Sequence, residues 1–133
     1  MNERILKWLF DIKDAIQEIE GYFIEYPKNL DAYKSNILIK RAIERDLEII
    51  GEAINRILKA DSEFPLVHAR RIIGLRNQII HSYDNISDEI IWAVISKHIP
   101  LLKEEVNRLI MEAKWLSNIK MTSSSLLACC SCW

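Results

Sequence analysis

Ile5, Leu9, Ile12, Ile16, Ile19 and Phe23 stand alternately four and three residues apart. A chain brings such a series onto one side only by winding at about 3.6 residues per turn, so this stretch has to be an amphipathic helix. Gly21 and Pro27 bracket its predicted end. The same rule predicts a second, longer helix that begins after Asn29 or Asp31 and turns Ile39, Ile43, Leu47, Ile50, Ile54 and Ile57 inward. Its outward face carries Lys40, Arg41, Glu44, Arg45, Glu48 and Glu52. Only Lys40–Glu44 is an attractive i,i+4 pair among the close ones, so the acidic residues look for partners on another helix. Gly51 within it suggests a close helix approach.

Asp61 to Pro65 is the next break, with Pro65 suited to a helix first turn. A third helix is expected from about Leu66 to His81 or Tyr83, followed by a turn at Tyr83-Asp84-Asn85. Ser87 reads as the N-cap of the last helix, with Ile86 and Ile91 as a hydrophobic staple. That helix runs on through Val94, Ile95, Leu102, Val106, Leu109 and Ala113, with a bend expected before Pro100. Three Gly and three Pro leave little turn material for a many-stranded fold. The fold class expected is therefore all-α, an up-and-down four-helix bundle.

At 133 residues the chain is long enough for one real core. The bundle is assigned to residues 1–116 and a Ser/Cys-containing tail outside it to 117–133. Cys129, Cys130 and Cys132 fall within the last five residues, with no His beside them to complete a tetrahedral zinc site. Acidic residues elsewhere are spread over charge-mixed helix faces, so neither a metal site nor another cofactor is expected. No apolar run approaches the roughly 18 residues of a membrane span. With Glu3, Arg4 and Lys7 interrupting the start, no secretory signal is read either, and the expectation is a cytoplasmic protein.

Charge mixing breaks at one place. From Phe64 through Tyr83 there is no acidic residue, whereas His68, Arg70, Arg71, Arg76 and His81 all lie inside, in a chain of net charge −1. A local basic face suits an anionic ligand such as a phosphodiester backbone, although pairing with acidic residues of the second helix explains the charge alone as well or better. At 100° per residue, Arg76 and Tyr83 fall within about 20° of each other, Asn77 and His81 about 40° apart, and Arg76 and His81 about 140° apart. Two shoulders of one helix do not grip one small ligand, but two copies facing across a two-fold axis would surround a groove. Asn77, one turn before His81, is placed to fix the imidazole tautomer. A His exchanges protons near neutrality and an Arg fork matches phosphate oxygens, the equipment for cutting RNA without a metal.

The segment Arg76-Asn77-Gln78-Ile79-Ile80-His81-Ser82-Tyr83 resembles the R-N-x-x-x-H-x-Y signature of HepT-like toxins in the HEPN superfamily. Arg41 through Ala53 is similar to the second-helix pattern of that family, and Ile72-Ile73-Gly74-Leu75 and Ile91-Trp92 fit its flanks. The resemblance covers roughly Asn2 to Trp115. It implies a helical bundle that forms a homodimer, or a higher even oligomer, with the Arg-x4-His segments meeting in a composite cleft. It further implies an endoribonuclease without metal, acting on an RNA such as tRNA or mRNA, as the toxin of a toxin–antitoxin pair. Arg76 and His81 would be catalytic, Asn77 supporting, and Arg70 and Arg71 candidates for RNA contact. The antitoxin implied is a minimal nucleotidyltransferase that places AMP on the motif Tyr, here Tyr83. The competing reading is a helical partner that binds a nucleotidyltransferase or nucleotide and cleaves nothing.

Overall fold

A computed structural model describes residues 3–70, 72–74 and 88–130, with side chains in the last helix described as far as Trp115. Helix α1 (Glu3–Glu25) is followed by a short α2 (Leu30–Ser35) and a long α3 (Ile37–Ala60). Residues 69–70 and 72–74 are helical. Helix α4 (Asp88–Ala93) runs through a π-helical turn (Val94–His98) into α5 (Ile99–Cys130). No strand occurs among the described residues. The molecule is an all-α helical bundle, as the apolar spacing predicts.

Helix α1 is the central element because its apolar stripe is wide enough to face two neighbours. Leu9, Ile12, Ile16 and Ile19 are buried against the inward residues of α3 and α5. Both neighbours run antiparallel to it. Trp8 and Asp11 share a groove with Glu52, Ala53 and Arg56, whereas Tyr22, towards the end of α1, bonds Asp46 in the first half of α3. On the α5 side, Glu20 pairs with Lys103 at 3.0 Å, and the Lys114 ammonium sits 5.6 Å from the Phe10 ring centre. The six predicted inward residues of α3 are all buried, as is Gly51.

The second predicted helix is divided in two. Asn29 caps α2, its side chain accepting from the Ala32 N–H at 2.7 Å. Asn36 then breaks the winding: its Oδ1 accepts from the Leu38 and Ile39 N–H groups at 3.1 and 3.2 Å, while its own N–H bonds back to the Tyr33 carbonyl. A short side chain that satisfies two otherwise orphaned donors outcompetes continued helix at that residue. The turn lets Tyr33 enter the core, where its ring meets Trp92 at 5.6 Å; Phe23 meets the same indole edge-on at 5.6 Å. Lys34–Glu89 and Lys40–Asp88 ion pairs fasten this end to α4, so Lys40 has an inter-helix acid in place of the predicted Glu44.

Where a bend is expected before Pro100, the structure has a π-helical turn. The Ile99 N–H reaches the Val94 carbonyl, five residues back. Pro100 has no N–H, and its ring crowds the carbonyl four residues earlier, so a wider turn relieves both conflicts. Ser87 and Ile86, the predicted cap and staple residue, lie outside the described residues.

Candidate functional site

The acid-free segment leaves α3 through a capped turn. The Asp61 N–H closes the helix on the Ile57 carbonyl, and its carboxylate accepts from the Glu63 N–H at 3.1 Å. The Phe64 N–H returns to the Asp61 carbonyl at 3.1 Å, and the Leu66 N–H to Phe64 at 2.8 Å. Helix resumes only at residue 69, so Pro65 lies in the link rather than in a first helical turn. Three-residue steps then dock the segment: Leu66, Ala69 and Ile72 are at most 3% exposed. Arg70 is exposed, as its phase requires when Ala69 and Ile72 point inward. Arg71, Arg76, Asn77, His81 and Tyr83 lie outside the described residues, so what the structure supplies is the anchored approach to the motif.

His68 departs from its predicted surroundings. The sequence offers acidic residues of the second helix as partners for the basic segment, yet His68 Nε2 lies 3.8 Å from Oε2 of Glu105 on α5. Glu105 is buried, as is Asp46, and neither is anticipated by sorting residues into apolar and polar faces. Both are nevertheless in phase with the core. Asp46 stands three residues after Ile43 and four before Ile50, and Glu105 three after Leu102 and four before Leu109.

Asp46 forms the most strongly perturbed group between α1 and α3. Tyr22 Oη donates to its Oδ2 at 3.0 Å. Burial pushes the carboxyl up from 3.8 to about 7, and the hydrogen bond with Glu18 adds to the rise, while the Tyr22 bond and Arg45 act against it. Tyr22 in turn is pushed up to about 12, first by its burial and then by the Asp46 carboxylate. Burial also raises Tyr33, with Asp88 and Glu44 adding to it.

The sign for stability follows. The folded chain keeps the Asp46 proton to about pH 7, while an unfolded chain releases it near 3.8. Between those limits the folded state binds more protons, so stability falls as pH rises and levels off above about 7. One proton sets a ceiling of about 1.4 kcal/mol per pH unit. In Asp46→Asn the amide donates to Glu18 and still accepts from Tyr22, so this slope should vanish. Urea unfolding of both chains at pH 5, 6 and 7 checks it; parallel stabilities would exclude the shared proton.

Other surface features are more ordinary. A groove of about 270 Å³ between α1 and α5 has Lys13, Lys103 and Lys114 above Ile16, Val106 and Ile110. Among the described residues no group of three or more His, Cys, Asp or Glu side chains could hold a metal ion, and no helix is long and apolar enough to cross a membrane.

Comparison with known proteins covers this same framework. The family described as ribonuclease HepT-like matches residues 12–109. A chain of Methanocaldococcus jannaschii named "Putative RNase MJ1380" is 35% identical over 111 residues, 80% of this chain and 97% of that one. "Putative RNase TTE0752" of Caldanaerobacter subterraneus subsp. tengcongensis is 33% identical over 109 residues, covering 77% and 94%. "Probable ribonuclease HepT" of Thermococcus cleftensis is 29% identical over 106 residues, covering 77% and 92%. No solved structure gives a significant match. The matched stretch takes in α1 from Ile12 onward, all of α2 and α3, the acid-free segment and most of the packed part of α5, and with it this chain belongs to the HepT-like ribonuclease family.

Proposed function

We propose that the chain is a cytoplasmic endoribonuclease that works without a metal ion and is the toxin of a toxin–antitoxin pair. The observation that carries this reading is the acid-free segment: in a HepT-like chain, it holds Arg76, Asn77, His81 and Tyr83 at the motif spacing, and its approach is docked by Leu66, Ala69 and Ile72. In the reaction, a ribose 2′-oxygen attacks the adjacent phosphorus as His81 takes its proton. The bond from phosphorus to the 5′-oxygen breaks, and that oxygen receives a proton from an imidazolium. The products are a 2′,3′-cyclic phosphate and a 5′-hydroxyl. Arg76 neutralises charge on the phosphoryl oxygens, and Asn77 orients the imidazole. On the helix expected from the sequence Arg76 and His81 fall about 140° apart, which supports a cleft shared by a homodimer with each chain contributing to it. Arg70, exposed beside the segment, and Arg71 extend the contact to RNA backbone, whether tRNA or mRNA.

Tyr83 is the control point in this reading. A nucleotidyltransferase antitoxin would transfer AMP from ATP to its hydroxyl, releasing pyrophosphate and placing a negative phosphate on the Arg76 side of the segment. The purified chain should cut RNA in the presence of a chelator, leaving cyclic phosphate ends. After incubation with ATP and a nucleotidyltransferase encoded beside it, mass spectrometry should show one added AMP per chain, absent in Tyr83→Phe, and cleavage should stop. Intact RNA, or cleavage that needs added metal, overturns the nuclease reading; adduct without any cleavage by the unmodified chain points to the binding-partner alternative.

A further inference from the structure

Glu105 has a less complete environment than the other buried acid. Asp46 is held by Tyr22 and Glu18, but Glu105 Oε1 is buried without a hydrogen-bond partner among the described residues. Its other oxygen is 3.8 Å from His68 Nε2. That separation is longer than a hydrogen bond, so His68 attracts this oxygen as an ion pair only with its imidazole protonated. A buried carboxylate is expensive unless compensated, and an apolar side chain would suit the packing between Leu102 and Leu109 better. The positive group nearest at hand is His68, which belongs to a stretch with no acid from Phe64 to Tyr83.

Leu66, Ala69 and Ile72 hold this segment to the bundle by one apolar face. That face sets the approximate phase, but apolar contact is non-directional and leaves the segment some freedom to roll about its axis. A charge on the neighbouring helix supplies the missing direction. We propose that Glu105 is a positioning residue, a buried charge on α5 that sets the rotation of residues 66–74 through His68 and so the setting from which the chain continues to Arg76 and His81. The catalytic part of this statement rests on the ribonuclease reading; the positioning part does not.

Two measurements on the full chain separate them. The first is amide hydrogen exchange at residues 69, 70 and 72–74, compared with α1 and α3. The second is kcat and KM for chelator-resistant RNA cleavage. Glu105→Gln keeps the shape and removes the charge. It should speed exchange at 69–74 about tenfold while α1 and α3 are unchanged, and should lower kcat about tenfold or more with KM within about twofold. Glu105→Asp should recover part of both losses. Glu105→Gln with His68→Asn should be no worse than the poorer single variant, since both act through one contact. Wild-type exchange and kcat in Glu105→Gln overturn the proposal. So does loss of protection spread evenly over all helices, which would make Glu105 a packing residue only. If the unmodified wild type leaves RNA intact, the ribonuclease reading fails, and the exchange comparison still decides for or against Glu105.

Discussion

The His81→Ala chain should cleave RNA about 10²–10⁴ times more slowly than wild type, the range a positioned proton-transfer group contributes. Arg76→Ala should lose a comparable amount, about 10²–10³, because the charge that builds on the phosphoryl oxygens then lacks its fork. Both losses should fall mainly on kcat, and both should be measured in chelator. The proposed composite cleft makes a stronger demand. If Arg76 of one chain works with His81 of the other, a mixed dimer of the two inactive variants contains one intact Arg/His set and one set lacking both. Mixing the purified variants should then restore part of the activity after subunit exchange. No recovery, in a mixture shown to contain mixed dimers, would place Arg and His of each site within one chain. Full activity in His81→Ala would remove the imidazole from the chemistry altogether.

The largest loss of stability should come from Ile12→Ala. Ile12 is fully buried at the middle of α1, the helix that both α3 and α5 pack against. Truncating it removes apolar contacts on two sides and leaves a cavity that two rigid neighbours do not easily close, a change worth about 2–5 kcal/mol. Whole domains are stable by only about 5–15 kcal/mol, so the midpoint of thermal unfolding should fall by roughly 10 °C or more. Ile24→Ala provides the contrast: the same side chain near the end of the same helix, but 85% exposed, should change stability by no more than about 0.5 kcal/mol. Equal effects of the two substitutions would contradict the central place of α1.

What could be read from the sequence divides along physical lines. Helical period alone identifies the inward faces of α1, α3 and α5, because burial of an apolar stripe is a property each helix declares by itself. Asn36 shows where period fails. The apolar pattern on either side is compatible with unbroken helix, and the break depends on one side chain offering two backbone donors a better partner. Pro100 announces a disturbance, but not that it takes the form of a turn with bonds five residues apart. Asp46 and Glu105 escape notice because their residue type argues against burial while their phase argues for it. Phase is correct for both, and a stricter use of spacing over polarity would have found them.

The site is legible to a different degree. Loss of charge mixing locates the segment, while Arg76 and His81 lie outside the described residues and their angular separation stays an expectation of helical spacing. The proposed composite cleft brings in a second chain, which the spacing within one chain suggests without giving its docking. The ribonuclease assignment came from resemblance and is carried by the match over residues 12–109. The relation of His68 to α5 rather than α3 is a tertiary fact, set by which helix lies on which side of the docked segment.

The wide turn at Val94–His98 has a consequence for how the two halves of the last rod are governed. A straight α-helix is a single screw: changing what one end faces rotates the other end too. Five-residue bonding slips the screw by part of a turn and offsets the phase of one end against the other. Upstream, Trp92 answers to Phe23 and Tyr33; downstream, Leu102, Val106 and Leu109 answer to the bundle core. One continuous rod thereby satisfies two sets of neighbours that no unbroken screw of the same length could face together.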